Sequence, residues 1–307
     1  MNSKIFLSDT LLLLITIGWS YTYIAGKIVL EEISEFYYLS LRFLISAFCI
    51  FLFQIHRLKK FTIPLIQQAI LCGIILGLAF YTQLIGLKIT SPGTAGVITG
   101  LFVVIVPFVY FFFAKKPLQT ETIMGSFLSF LGLFIFSYEE KRLSFNGLGE
   151  IFLFFSAFFF AVHIVLIDRA YRKYPNLDGM GFTFFQLFVV GVMFFFPAWI
   201  YESFPVTWSK NILYNFIYNV LVGTVIAYTA QTILQKYSPP THVSLIFAFE
   251  SVFAFFFSWI FYNEVITGRI LVGVFLMLGG IFVTEILDKY KFKLKGKLRL
   301  WQSQKKH

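Results

Sequence analysis

The sequence predicts an all-α integral membrane protein of ten transmembrane helices, arranged as two inverted five-helix repeats. Three observations carry this: charge is scarce, ten apolar runs reach membrane-crossing length, and the second half can be laid over the first. Of 307 residues, 58% are hydrophobic and only 13% charged, and the mean hydropathy is +0.80. A soluble domain carries about 25% charged residues. Half that supply cannot cover a water-facing surface, so the fitting solvent is lipid. The 43 Phe and 16 Tyr suit lipid and its boundary.

A helix that crosses the hydrocarbon core needs about 20 apolar residues, with every backbone group paired internally. In order, such runs fall at 9–27, 36–55, 65–87, 92–114, 120–138, 147–168, 178–201, 210–233, 240–262 and 268–287. The first lacks a charged n-region and a small-residue cleavage site, and reads as a permanent span rather than a removable signal. EEISE and HRLKK bound the second, and KITSP closes the third. Pro92 opens the fourth at a helix N-terminus, where a missing N–H costs little. Pro107 lies inside that span and interrupts its hydrogen bonding, as a gating hinge or a static kink. KKPLQ and EEKRLSFNG frame the fifth; DRAYRKYPN, ESFPVTWSK and KYSPP close the sixth, seventh and eighth. Pro240 opens the ninth as Pro92 opens the fourth, and NEVITG leads to the tenth. The connections are short, so neighbours in sequence are expected to run antiparallel.

The net charge of +10 raises the possibility of nucleic acid, but its location argues against that partner. Eight of the 25 basic residues follow Asp288, as a juxtamembrane tail suited to an anionic leaflet. With the N-terminus in the cytoplasm, inside segments hold 18 basic residues and outside segments six, with Arg42 in the membrane. Basic residues collect on the cytoplasmic side, so both termini are expected there. Cys49 and Cys72 lie in apolar runs and form neither a disulfide framework nor a metal site. No cofactor is implied.

Residues 148 apart match in one register: Ala79 with Ala227, Gln83 with Gln231, Lys88 with Lys236, Pro92 with Pro240, Ile98 with Ile246, Gly125 with Gly273 and Gly132 with Gly280. Earlier helices align at a shorter offset, with Arg42 on Gln186, 144 residues on. Five helices per half is odd, so the second half enters from the opposite side. Inverted repeats recur in secondary transporters, which bind substrate between the halves near the midplane. The expected division is 1–144, 145–288 and a basic cytoplasmic tail, 289–307.

Four stretches carry a resemblance: WSYTYIAGK (19–27), LRFLISA (41–47), YTQLIGLKITSPGTAGVITGLFVVIVP (81–107) and LQKYSPPTHVSLIFAFESVFAFFFSWIFYNEVIT (234–267). With these, the sequence resembles the EamA-type transporters of the drug/metabolite transporter superfamily over all ten spans. It departs at Ser20, where Gly is usual, at Ser251, where Pro is usual, and at Lys116, which stands where Glu264 sits in the second half. The resemblance implies export, or sometimes uptake, of small metabolites such as amino acids, nucleotide-related compounds or drugs across a bacterial inner membrane, without identifying the substrate. The expected partners are such a metabolite and the lipid bilayer, with the chain a monomer or weak homodimer.

Charges within spans are the informative exceptions, because burying one costs a few kcal/mol unless it is paired or hydrated. Glu250, midway along the ninth span, reads as a substrate-amine contact, a protonatable coupling site, or a structural contact paired with a cation such as Arg42. Arg42 either snorkels outward, holds backbone carbonyls, or contacts a substrate anion. His163 is either an interhelical hydrogen bond or a coupling group. Gln83 and Gln231 share repeat-equivalent faces and read as a pair of cavity amides or as interhelical glue. Gln186 and Trp19 are further lining candidates. Gly125, Gly132, Gly273 and Gly280, seven apart in each half, point to close packing or dimerisation. No enzyme pattern emerges: there is no Walker loop, and Glu31–Glu32 and Glu139–Glu140 lie in boundary loops. A membrane enzyme on lipid-linked substrates would need more acidic ligands facing one cavity than Glu250 alone.

Overall fold

The computed structural model describes residues 3–56, 62–114, 120–137, 147–204, 208–263, 265–280 and 283. The basic tail 289–307, Lys116, Glu264 and the Glu139–Glu140 pair lie outside the described residues.

Helices occupy each of the ten apolar runs. They are α1 (Ser3–Val29), α2 (Glu35–Gln54), α3 (Ile63–Ile89), α4 (Pro92–Thr99), α5 (Phe102–Ala114), α6 (Thr120–Ser137), α7 (Leu148–Lys173), α8 (Gly179–Tyr201), α9 (Lys210–Val220), α10 (Ala227–Leu234), α11 (Pro240–Phe247) and α12 (Phe249–Tyr262). A shorter apolar helix, α13 (Gly268–Gly280), follows. Eight continuous or nearly continuous helical segments are long and apolar enough to cross a membrane, and α6 and α13 complete the ten. The surface bears this out: Phe112 is 75% and Phe275 80% exposed, while Arg42, His163, Gln186 and Gln231 are buried. Apolar side chains face outward and polar ones inward, the arrangement lipid selects.

Two spans are broken at equivalent places. The fourth is α4 and α5, interrupted at Gly100; the ninth is α11 and α12, interrupted at Ala248, 148 residues on. At both breaks the backbone tightens into shorter bonds, Leu101 N–H to Ile98 O at 3.1 Å and Ser251 N–H to Ala248 O at 3.2 Å. Pro107 was the expected interruption, yet it sits inside the continuous helix α5. The break belongs instead to Gly100, where the Ser251 hydroxyl of α12 packs directly on the glycine and donates to Gly96 O at 2.9 Å. A side chain at position 100 would exclude that approach.

The packing follows the repeat. α2 lies along α8; α1 meets α9, α10 and α12, as α7 meets α3 and α5. The halves of the broken spans exchange partners, α4 on α12 and α5 on α11. The eighth span contains a π-helical stretch, Leu221–Ile226, between α9 and α10. The recurring glycines are packing residues within this chain. A methyl on Gly132 would lie 2.5 Å from the Gly273 carbonyl oxygen and 2.7 Å from the Met277 nitrogen, and one on Gly280 would meet the Gly125 carbonyl. α6 and α13 therefore touch backbone to backbone.

Candidate functional site

The two breaks meet in the interior of the molecule, beside a narrow cavity of about 40 Å³. Its walls repeat the internal register. Gln83 faces it with Gln231, Phe80 with Tyr228, Thr99 with Phe247 and Phe102 with Glu250, each pair 148 apart; Trp19 and His163 are 144 apart. A site on the pseudo-symmetry axis draws equivalent positions from both halves, but their chemistry has diverged. Three of these pairs set an aromatic residue of the first half against a polar one of the second: Trp19 and His163, Phe80 and Tyr228, Phe102 and Glu250.

Glu250 stands in the first turn of α12, immediately after the break. The unpaired N–H groups of a helix N-terminus favour a carboxylate there. Its carboxyl is within hydrogen-bonding reach of the Tyr23 hydroxyl, which in turn accepts from Gln83 Nε2 at 3.2 Å. Ser20, at a position where the resemblance expects glycine, donates to the Glu250 backbone carbonyl at 3.1 Å. Glu250 is half-buried and lines the cavity.

Arg42 enters from the other side and is 3% exposed, which removes the snorkelling alternative. Its Nε donates to Thr224 Oγ1 at 2.8 Å, Nη1 to the Tyr38 hydroxyl at 3.3 Å and Nη2 to Gly223 O at 3.4 Å. Its guanidinium also lies 4.8 Å from the Phe80 ring centroid. Both Gly223 and Thr224 lie in the π-helical stretch Leu221–Ile226. Trp19 Nε1 donates to the Gly223 carbonyl at 3.0 Å. Such stretches are frequent at functional sites. Among the described residues Arg42 forms no ion pair. Arg42 and Glu250 thus line one cavity without neutralising each other, and the expected alternative of a structural Arg42–Glu250 pair is not what the fold contains.

His163 Nε2 is 3.0 Å from Gln186 Oε1, and Gln186 Nε2 donates to Thr232 Oγ1 at 3.1 Å. Gln186, expected at the wall, is fully buried and stands behind it, holding the histidine ring. Five sequence-nominated residues besides Arg42 therefore converge on the cavity: Trp19, Gln83, His163, Gln231 and Glu250. The sequence reading did not nominate Phe80, Thr99, Phe102, Tyr228 or Phe247. The repeat offsets would have found Phe102 from Glu250, although nothing in composition sets one Phe apart among 43. Among the described residues, no group of three His, Cys, Asp or Glu is placed to hold a metal ion.

Comparison with known proteins agrees with this architecture. The EamA-like transporter family matches the chain twice, over residues 6–138 and 147–286. An uncharacterized transporter of Archaeoglobus fulgidus is 25% identical over 280 residues, covering 91% of this chain and 86% of its own. The uncharacterized transporter YoaV of Bacillus subtilis is 24% identical over 275 residues, covering 88% and 93%. A solved crystal structure superposes with a TM-score of 0.74 over 94% of this chain and 99% of its own, at 15% identity, a likeness of fold.

Proposed function

The chain belongs to the EamA-like transporter family, and from that premise we propose that it is a secondary carrier exporting amino acids or related polar, amphipathic metabolites by alternating access. The observation that supports this substrate class is the pair of opposite charges, Arg42 and Glu250, lining one cavity without pairing. An isolated buried charge is costly. Each of these is partly satisfied by neutral groups, and a zwitterion would complete both: its carboxylate on the Arg42 guanidinium, its ammonium on the Glu250 carboxylate. The aromatic walls suit the apolar body of an amphipathic molecule.

Glu250 also supplies a coupling device. A carboxylate half a span from either interface, about 15 Å away, must be protonated, hydrated or paired with the substrate's ammonium while its gates are shut. A proton and an ammonium compete for the same oxygens, so proton entry and substrate exit would alternate on one side chain. Residues 1–144 and 145–288 would be the opposed units that rock about the cavity, with both termini in the cytoplasm of a bacterial cell.

An untargeted comparison tests the reading. Proteoliposomes with and without the protein are loaded with a metabolite mixture under an imposed pH gradient, and the released compounds are identified by mass spectrometry. Protein-dependent loss of amino acids, faster with protons supplied from outside, is expected. Release confined to compounds with a single charge sign would remove the zwitterion assignment.

A further inference from the structure

Resting on that reading and deepening it, we infer that the carried zwitterion also bears a hydrogen-bond donor on its side chain, such as an amide or hydroxyl, received by Gln231. The orientation of the Gln231 amide follows from the chain of bonds behind it. The Ile164 backbone carbonyl can only accept, so the 2.5 Å contact from Gln235 fixes the Gln235 nitrogen as the donor. Gln235 Oε1 is then an acceptor, and Gln231 must turn its own Nε2 toward it, at 3.4 Å. Gln231 Oε1 is left over. It is a bare acceptor on a residue 2% exposed, at the wall of the cavity.

His163 repeats the pattern. With Gln186 donating to Thr232, its Oε1 accepts from His163 Nε2, and Nδ1 remains without a partner on a residue 1% exposed at the same wall. Buried acceptors are nearly always satisfied; the Gln231 and His163 acceptors, with the unpartnered Thr99 hydroxyl oxygen at the same wall, ask for a hydrogen-bonding group from what occupies the cavity. His163 and Gln231 belong to the second half, α7 and α10, whereas Arg42 belongs to the first. The cavity thus provides a cation, an anion and a separate place for a donor, matching an amino acid whose side chain carries N–H or O–H.

The test compares L-glutamine with its methyl-ketone isostere 5-oxo-L-norleucine, which keeps both charges and the side-chain carbonyl but lacks the amide N–H. Each is offered to proteoliposomes carrying the full chain, and uptake is followed by mass spectrometry. A site built around a substrate N–H rejects the analogue lacking it, so glutamine is expected to enter at least about tenfold more efficiently, and Gln231→Met to narrow the ratio to about twofold. Equal uptake by the unaltered protein overturns this inference and leaves the zwitterion reading standing; uptake of neither overturns both. The comparison in the unaltered protein decides the matter whether or not Gln231→Met folds.

Discussion

Replacing Glu250 by Gln separates a coupling role from a structural one. Gln keeps the size of the side chain and one carbonyl oxygen that can still accept from Tyr23, but it cannot titrate. Were Glu250 half of a buried ion pair, its loss would cost about 3–5 kcal/mol by stranding the partner charge. Arg42 is instead held by Thr224, Gly223 and Tyr38, and the backbone bond from Ser20 to residue 250 is independent of the side chain. The fold should therefore lose no more than about 1 kcal/mol, the net worth of one ordinary hydrogen bond. Substrate affinity should fall further: a hydrogen bond to a charged group is worth about 1.5–3 kcal/mol, or about 10- to 150-fold in binding. Thermal unfolding in detergent reads the first quantity, and exchange in proteoliposomes across a series of pH values reads the second. The variant is expected to unfold near the parent temperature, bind weakly and show a flat pH profile. A variant that is destabilised by 3 kcal/mol or more, or that keeps the parent pH dependence, would refute the assignment.

Three further outcomes follow from the same geometry. Gly132→Ala should destabilise the protein by about 1–3 kcal/mol through overpacking against the backbone of α13, whereas Gly268→Ala, with nothing within 4 Å of the added carbon, should be neutral in the same unfolding assay. Single cysteines at Gln83 and Gln231, in a chain lacking Cys49 and Cys72, should be shielded from a polar thiol reagent by a transported amino acid; labelling indifferent to substrate would return both amides to a packing role. Compartment-sensitive reporters fused to either terminus should both report the cytoplasm, and a split result would overturn the orientation drawn from the basic residues.

The ten spans were legible because length and apolarity are all a lipid-facing helix requires. The breaks were not. FVVIVPFVYFFFA reads as a single run with an internal proline, and the proline drew attention away from Gly100, whose importance lies in the Ser251 hydroxyl packed on it from another span. The π-helical stretch was equally invisible, since Leu221–Ile226 is as apolar as a regular helix and its irregularity is stabilised by Trp19 and Arg42 from distant segments. At the site, charge in an apolar setting marked Glu250 and Arg42, and repeat equivalence marked Gln83 and Gln231. Neither signal could separate Gln186, which supports the wall, from His163, which forms it: that distinction is one of depth, and both side chains are buried.

The central claim, that Arg42 and Glu250 hold the two ends of one zwitterion, is tested most directly by equilibrium binding to the purified full-length chain. L-glutamine is compared with its decarboxylated amine and its deaminated acid. Each loss of a charge-assisted contact should weaken binding at least about tenfold. Arg42→Gln should erase the advantage over the amine, and Glu250→Gln the advantage over the acid. Amine or acid binding as tightly as the amino acid, with neither variant altering the order, would contradict it.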